Sequence, residues 1–258
     1  MSFQSIRYSV DEAIATIALN RPETLNALDA EMRRELMEAI LQARDEARVL
    51  ILTGIGRGFC AGQDLGDLSD PSGVNLERLL VEEYHPILTA IAEGPIPVLC
   101  SVNGVAAGAG ANLALSADVV IAARSAVFLE AFARIGLMPD AGGTFWLPRL
   151  VGHARAMGMS LFADPIPAET AADWGLIWEA VNDELLDSRT RELAQRLAEG
   201  PTRAYRAMKE AMRASVTNDF AEQLKLEARL QADLAKSRDF MEGVLAFLAK
   251  RKAGFEGR

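Results

Sequence analysis

Cysteine is scarce in this 258-residue chain, with only Cys60 and Cys100. Two thiols form no disulfide framework, and a reducing, cytoplasmic compartment is expected. Histidine is as scarce, with only two residues in the chain. Scattered histidines and cysteines offer no metal-ligand spacing, so neither a metal nor a separate cofactor is expected. Positive charge is in deficit: 27 Lys and Arg stand against 36 Asp and Glu, for a net charge of −9. That balance argues against nucleic acid or an anionic membrane as the main partner, though a local basic pocket remains open. Long apolar runs are missing too. The longest are short and broken by glycine, which excludes a bilayer span. The opening "MSFQSIRYSVDEAIATIAL" has no basic region before an apolar run, so no secretory leader is expected and the protein reads as soluble.

What is present is a chain that is 50% hydrophobic, enough for one large domain with or without a smaller appendage. "AIATIAL" (13–19) reads as a strand. A helix over 29–44 follows, with Met32, Leu36 and Ile40 on one stripe and Asp29 as its cap. "VLILTG" (49–54) reads as a buried strand. A polar stretch then runs to about Asn75, where Pro71, Ser72 and Gly73 predict a mobile loop. A helix over 76–92 leads to a strand in "VLCSVNG" (98–104). The small-residue run "AAGAGANLALSA" enters a helix, and "VVIAA" and "VFLEA" follow as strands. Such alternation implies an α/β core with parallel pairing. From about Ala168 the pattern becomes helical, with Gly200-Pro201 as a break. That third reads as an appendage packed on the core or on another subunit.

Two small-residue segments follow buried strands: "FCAGQDL" (59–65) and "NGVAAGAGANLAL" (103–115). Glycine-rich turns there can aim backbone N–H groups into a cleft and form an oxyanion hole; close helix–strand packing would call for the same residues. Neither segment is a dinucleotide fingerprint or a P-loop. "RIGLMPDAGG" (134–143) sets one acid, Asp140, between a proline and a glycine pair. Locally it can be the N-cap of a helix starting at Ala141.

Five segments in order, "NRPETLNAL" (20–28), "GRGFCAGQDL" (56–65), "NGVAAGAGANLALSADVVIAARSAVF" (103–128), "GLMPDAGGT" (136–144) and "AFLAKRKAGF" (246–255), resemble the crotonase, or enoyl-CoA hydratase/isomerase, superfamily over nearly the whole chain. The resemblance implies an α/β spiral of ββα units as residues 1–195, and a helical trimerisation region as 196–258. It further implies a homotrimer or homohexamer acting on an acyl-coenzyme A thioester, with no nucleic acid or membrane partner. By position it makes Gln63 N–H and Ala109 N–H the donors to the thioester oxygen. Coenzyme A would run along Leu25, Asn26 and Ala27, along Ala61, Gly62, Asp64 and Leu65, and past Gly108. Phe247 and Lys250 would approach the adenine end, often from a neighbouring subunit. "KRK" (250–252) also serves as a basic helix end that offsets the helix dipole.

The two glutamates of family hydratases fall at Asn112 and Phe132 here. Asn112 cannot exchange a proton near neutral pH and Phe132 cannot at all, so ordinary hydration is not expected. Members with an acid at the position of Asp140 use it as base or nucleophile, and burial beside Phe128 and Phe132 would raise its pKa. One base and one oxyanion hole imply an isomerase. The subgroup most resembled, through "GHARAMGM" (152–159) and "WGLIW" (174–178) as well, is the ring-1,2-epoxyphenylacetyl-CoA isomerases of phenylacetate breakdown. Phe128, Phe132, Phe145 and Trp146 would suit a ring, or be ordinary core. Alternatives are a Δ3,Δ2-enoyl-CoA isomerase, a hydrolase like the 4-chlorobenzoyl-CoA dehalogenases, and a non-catalytic thioester-binding subunit. The dehalogenases carry a histidine near the position of His85 but a tryptophan where Phe132 stands. Glu130 shares a face with Phe132 if "VFLEAF" is extended, which would allow a second acid; a solvent-facing or salt-bridged glutamate is the expectation.

Overall fold

The computed structural model describes residues 3–68 and 75–257. Its strands are β1 (Ile6–Asp11), β2 (Ile14–Leu19), β3 (Val49–Gly54), β4 (Gly58–Cys60), β5 (Val98–Val102), β6 (Val105–Ala107), β7 (Val119–Ala123), β8 (Val127–Leu129), β9 (Ile166–Pro167) and β10 (Glu179–Val181). β5 is buried along its length and β3 through Leu52. Strands apolar on both faces need cover on both sides, which a parallel sheet provides. They sit at the centre of a six-stranded sheet ordered β1-β2-β3-β5-β7-β10. All its pairs are parallel except the β1–β2 hairpin at the edge. A second sheet, ordered β4-β6-β8-β9, pairs parallel up to β8 and antiparallel at β9.

The two sheets share a repeat. β3–β4, β5–β6 and β7–β8 each give their first strand to the large sheet and their second to the small one. Helices follow each pair: α2 (Leu76–Leu79) and α3 (His85–Glu93), then α4 (Ala109–Leu115), then α5 (Gly143–Leu150) and α6 (His153–Phe162). This is the ββα alternation expected. α1 (Ala30–Glu46) precedes β3. Asp29 caps it, accepting from Met32 N–H at 2.8 Å, and its stripe of Met32, Leu36 and Ile40 is buried as read.

The chain after Ala168 departs from the helical reading. α7 (Ala168–Asp173) is followed by β10, which adds in parallel to β7. α8 (Leu186–Ala198) still belongs to the body: Ala194 and Ala198 pack against Ile14, Val49, Ile51 and Leu99 of the large sheet. The physical break is Gly200-Pro201, after which come α9 (Thr202–Ala214), α10 (Phe220–Leu234) and α11 (Arg238–Leu248). α9 and α10 bury no residue, and Met208, Met212, Phe220, Phe240 and Leu248 are exposed.

Two other readings change. β1 turns the lone strand at 13–19 into a hairpin. The helix over 76–92 is interrupted by a π-helical turn, Leu80–Tyr84, between α2 and α3. The mobile loop predicted around Pro71, Ser72 and Gly73 lies outside the described residues.

Candidate active site

β4 and β6 are parallel neighbours, so the turns that follow them leave the same sheet edge. Gly62 has φ +91°, and a Cβ there would stand 2.7 Å from the Ala107 carbonyl oxygen and 3.3 Å from Ala109 N. Gly108 has φ +52° and ψ −127°, a conformation side chains exclude. Glycine at both places is what lets the turns touch. Leu28 N–H donates to Gly62 O and Asp64 N–H to Leu28 O, a parallel bridge that passes over Gln63. Ala109 opens α4, where an N–H has no partner within the helix. Neither the Gln63 nor the Ala109 N–H has an acceptor among the described residues. Two unpaired donors on touching turns can stabilise a negative oxygen.

Behind this hole lies a network that the sequence reading missed. The Gln63 side-chain oxygen accepts from Tyr84 OH at 2.6 Å and from Arg33 Nη1 at 3.1 Å. Arg33 is buried, donates to Leu28 O and Glu83, and stacks over the Tyr84 ring. The π-helical turn supplies Tyr84 and Glu83 together, and burial pushes the Tyr84 phenol far up, so it stays a donor. One signal was available: Arg33 is a charge at helical spacing from Leu36, Met37 and Ile40.

Asp140 is not a cap. α5 begins at Gly143, and no side chain caps it. Asp140 is half-buried, and its Oδ1 is buried with no hydrogen-bond partner. Burial pushes its carboxyl up to about 6, with the nearby His85 charge pulling the other way. The loop is pinned by its backbone: Asp140 O accepts from Gly143 N–H at 2.8 Å and from Asn112 Nδ2 at 2.9 Å. The same Nδ2 reaches Glu130 Oε2 at 3.3 Å. Glu130 corrects the sequence reading. It is 1% exposed, has no ion-pair partner among the described residues, and burial pushes its carboxyl up to about 7, helped by Asp140. Phe132, also buried, sets its ring 3.7–3.8 Å from the place a Gly108 Cβ would occupy. An apolar wall therefore flanks the oxyanion turn.

The other aromatics divide. Phe128 is core, whereas Phe145 and Trp146, edge to face at 4.8 Å, line a cavity of about 720 Å³ with His85, Ala141 and Gly142. His85 is exposed on α3, close enough for its charge to act on Asp140.

The segments matched to coenzyme A run side by side, since Ala61 N–H donates to Leu25 O at 2.9 Å. Asn26 is fully buried at φ +58°; its amide nitrogen reaches Ile55 O, Gly58 O and Phe59 O, and its oxygen accepts from Arg21 N–H. That side chain pins two loops and is not open to a ligand. Ala27 is buried beside it, with its carbonyl bonded to Arg21. Asp64 pairs with Arg21 at 2.8 Å, which holds its carboxyl below the usual range, and Leu65 is exposed. Phe247 (84% exposed) lines a separate groove with Ala204, Leu234, Phe240 and Phe255. Lys250 is exposed just beyond α11. Within one chain, no contact among the described residues brings Phe247 or Lys250 to the Gln63–Ala109 turns. Of "KRK", Arg251 pairs with Glu242 and Lys252 with Glu199. Among the described residues no cluster of three or more His, Cys, Asp or Glu is placed to hold a metal, and no helix is long and apolar enough to cross a membrane.

The enoyl-CoA hydratase/isomerase family profile matches residues 9–258. A Rhodobacter capsulatus protein named probable enoyl-CoA hydratase is 60% identical over 100% of both chains. The 1,2-epoxyphenylacetyl-CoA isomerase of Escherichia coli is 48% identical over 96% of this chain and 97% of its own. The solved enoyl-CoA hydratase/isomerase from Cupriavidus metallidurans superposes with a TM-score of 0.92 at 32% identity, covering 100% of this chain and 98% of that one. With its touching glycine turns on a ββα body, the chain belongs to the enoyl-CoA hydratase/isomerase family and has the crotonase fold.

Proposed function

We propose that this protein is an acyl-CoA isomerase in which Asp140 shuttles one proton, with ring-1,2-epoxyphenylacetyl-CoA as substrate and oxepin-CoA as product. The observation that carries the reading is Asp140 itself: a carboxyl raised by burial, with an unpartnered oxygen. Asp140 takes a proton from the carbon next to the thioester, and the C–H electrons move onto the thioester oxygen. The Gln63 and Ala109 N–H groups hold that oxyanion. For the ring epoxide, the carbon–carbon bond shared by the three- and six-membered rings breaks and its electrons join the ring diene, opening the bicycle to the seven-membered oxepin. The proton returns from Asp140 to the ring carbon conjugated with the enolate, which leaves a double bond from the α-carbon to the ring, and no atom is gained or lost. A base that must give its proton back works best with a pKa near the working pH, as here.

The E. coli relative's name supports the ring-epoxide substrate. The Rhodobacter capsulatus relative's name points to hydration instead. Hydration needs a group that orients and activates water as well as one that delivers a proton, and Asn112 and Phe132 occupy the places where hydratases keep theirs. The Phe132 wall beside Gly108 suits removal of water from the enolate. A panel of thioesters decides between them. Isomerisation of the ring epoxide, or of a straight-chain 3-enoyl thioester as the closest alternative, is expected. Hydration of crotonyl-CoA at a kcat near 10³ s⁻¹, the upper end of ordinary enzymes, would overturn the assignment. The exposed apolar residues of α9–α11 would be covered in a trimer or hexamer, from which a neighbour's Phe247 and Lys250 reach the adenine end.

A further inference from the structure

We infer that Glu130 is a positioning residue that works in its neutral form: tied through Asn112 to the Asp140 carbonyl, it leaves Asp140 the only negative carboxyl beside the forming enolate. The inference rests on the proposed role of Asp140 as base. The link runs through Asn112, at one of the two positions where family hydratases keep their acids, but Glu130 itself stands at neither. Glu130 lies at the end of β8, whose Leu129 O accepts from Gly108 N–H at 2.8 Å, so it is joined to the oxyanion turn on one side. On the other side a single amide nitrogen, Asn112 Nδ2, spans Glu130 Oε2 and Asp140 O. Glu130 and Asn112 are buried, Asp140 is half-buried, and no cation among the described residues pairs with Glu130.

An ionised carboxylate so placed would be a second negative charge in a site that must build a third on the thioester oxygen. Low polarisability around the pair makes that repulsion strong. Burial pushes Glu130 toward its protonated form, the Asn112 hydrogen bond opposes it and the Asp140 charge adds to it, for about 7 against about 6 for Asp140. Glu130, the more deeply buried of the two, therefore keeps its proton after the half-buried Asp140 has lost its own, and the two titrate as a coupled pair. Between these steps the site holds one anionic base and one neutral neighbour. Two other titratable groups face the pair. Tyr84 is held neutral by burial, and His85 is exposed and acts on Asp140 by its charge.

The test is the pH dependence of kcat/KM between roughly pH 5 and 9 for the wild type, Glu130→Gln and His85→Gln. A bell is expected for the wild type, rising near pH 6 with Asp140 and falling above about pH 7 with Glu130. In Glu130→Gln the falling limb disappears, so the ratio of kcat/KM at pH 9 to that at pH 6.5 rises about tenfold or more. His85→Gln keeps the falling limb. A uniform loss at every pH in Glu130→Gln, or a falling limb left in place, would overturn the inference, as would a wild type without one. Infrared titration of carboxyl groups in the substrate-free protein gives an answer independent of turnover. A buried carboxyl should titrate near neutral pH in the wild type, move to lower pH in Asp140→Asn and be missing in Glu130→Gln. No such group in the wild type would overturn the inference. Activity persisting in Asp140→Asn would instead overturn the proposed function, and the infrared result would still stand.

Discussion

Glu130→Gln should make the protein more stable, and more so as pH rises. Burial holds the Glu130 carboxyl up at about 7, against 4.5 for an unperturbed glutamate. At 1.36 kcal/mol per unit, the 2.5-unit difference amounts to about 3 kcal/mol. The sign follows from which state binds the proton. Below pH 4.5 both folded and unfolded chains hold it, and the group contributes nothing. Between 4.5 and 7 the unfolded chain releases it and the folded chain does not, so stability falls with rising pH. Above 7 the full cost of about 3 kcal/mol remains. Glutamine keeps the shape and the contact with Asn112 but not the charge. Urea unfolding at one protein concentration should therefore show a gain under about 1 kcal/mol at pH 5 and about 3 kcal/mol at pH 8. A difference between variant and wild type that is the same at both pH values would refute the burial argument.

Three further outcomes are expected. Gly62→Ala places a Cβ 2.7 Å from Ala107 O at φ +91° and must shift the turn carrying Gln63 N–H; kcat should fall about 10²–10³-fold, as when an oxyanion donor is lost, and a loss under fivefold would separate that N–H from catalysis. Asn26→Ala removes the side-chain donor to the carbonyls of Ile55, Gly58 and Phe59, of which Gly58 keeps a 3.4 Å contact from Asn103 Nδ2, and the acceptor of the Arg21 N–H. It should lower unfolding free energy by at least about 3 kcal/mol, and a loss under about 1 kcal/mol would contradict the pinning role. Light scattering at micromolar concentration should give a trimer or hexamer; a single 27.9 kDa species would leave the α9–α11 apolar faces uncovered.

The parts legible in the sequence are those where one local rule governs. β3 and α1 were readable because a continuous apolar run and a 3.6-residue stripe each admit one structure. β1 was not, because "IRYSVD" is an edge strand largely open to solvent and shows no apolar face. β10 is three residues long and lies between helical segments, so only its pairing with β7 reveals it. Glu130 was misplaced for a geometric reason. The strand ends at Leu129 and a 3-10 turn begins at Ala131, so alternation says nothing about residue 130. Asp140 was ambiguous because a cap and a base look alike until the helix start is located; the start at Gly143 removes the cap. Tyr84 depends on a π-helical turn, for which "LVEEY" carries no pattern.

The most direct test of the account is turnover by Asp140→Asn in heavy water, with the ring-epoxide thioester or whichever isomerised thioester the panel identifies. Asparagine fills the same space but cannot take and return a proton, so folding and thioester binding should persist. General acid–base groups contribute about 10²–10⁴-fold, and a base with no deputy should sit at or beyond the upper end. The account predicts a loss of about 10⁴-fold or more, and no deuterium in the α-carbon or the conjugated terminus of the recovered thioester, where the wild type incorporates it. A variant that keeps more than about a tenth of wild-type turnover, with deuterium still entering, would contradict it.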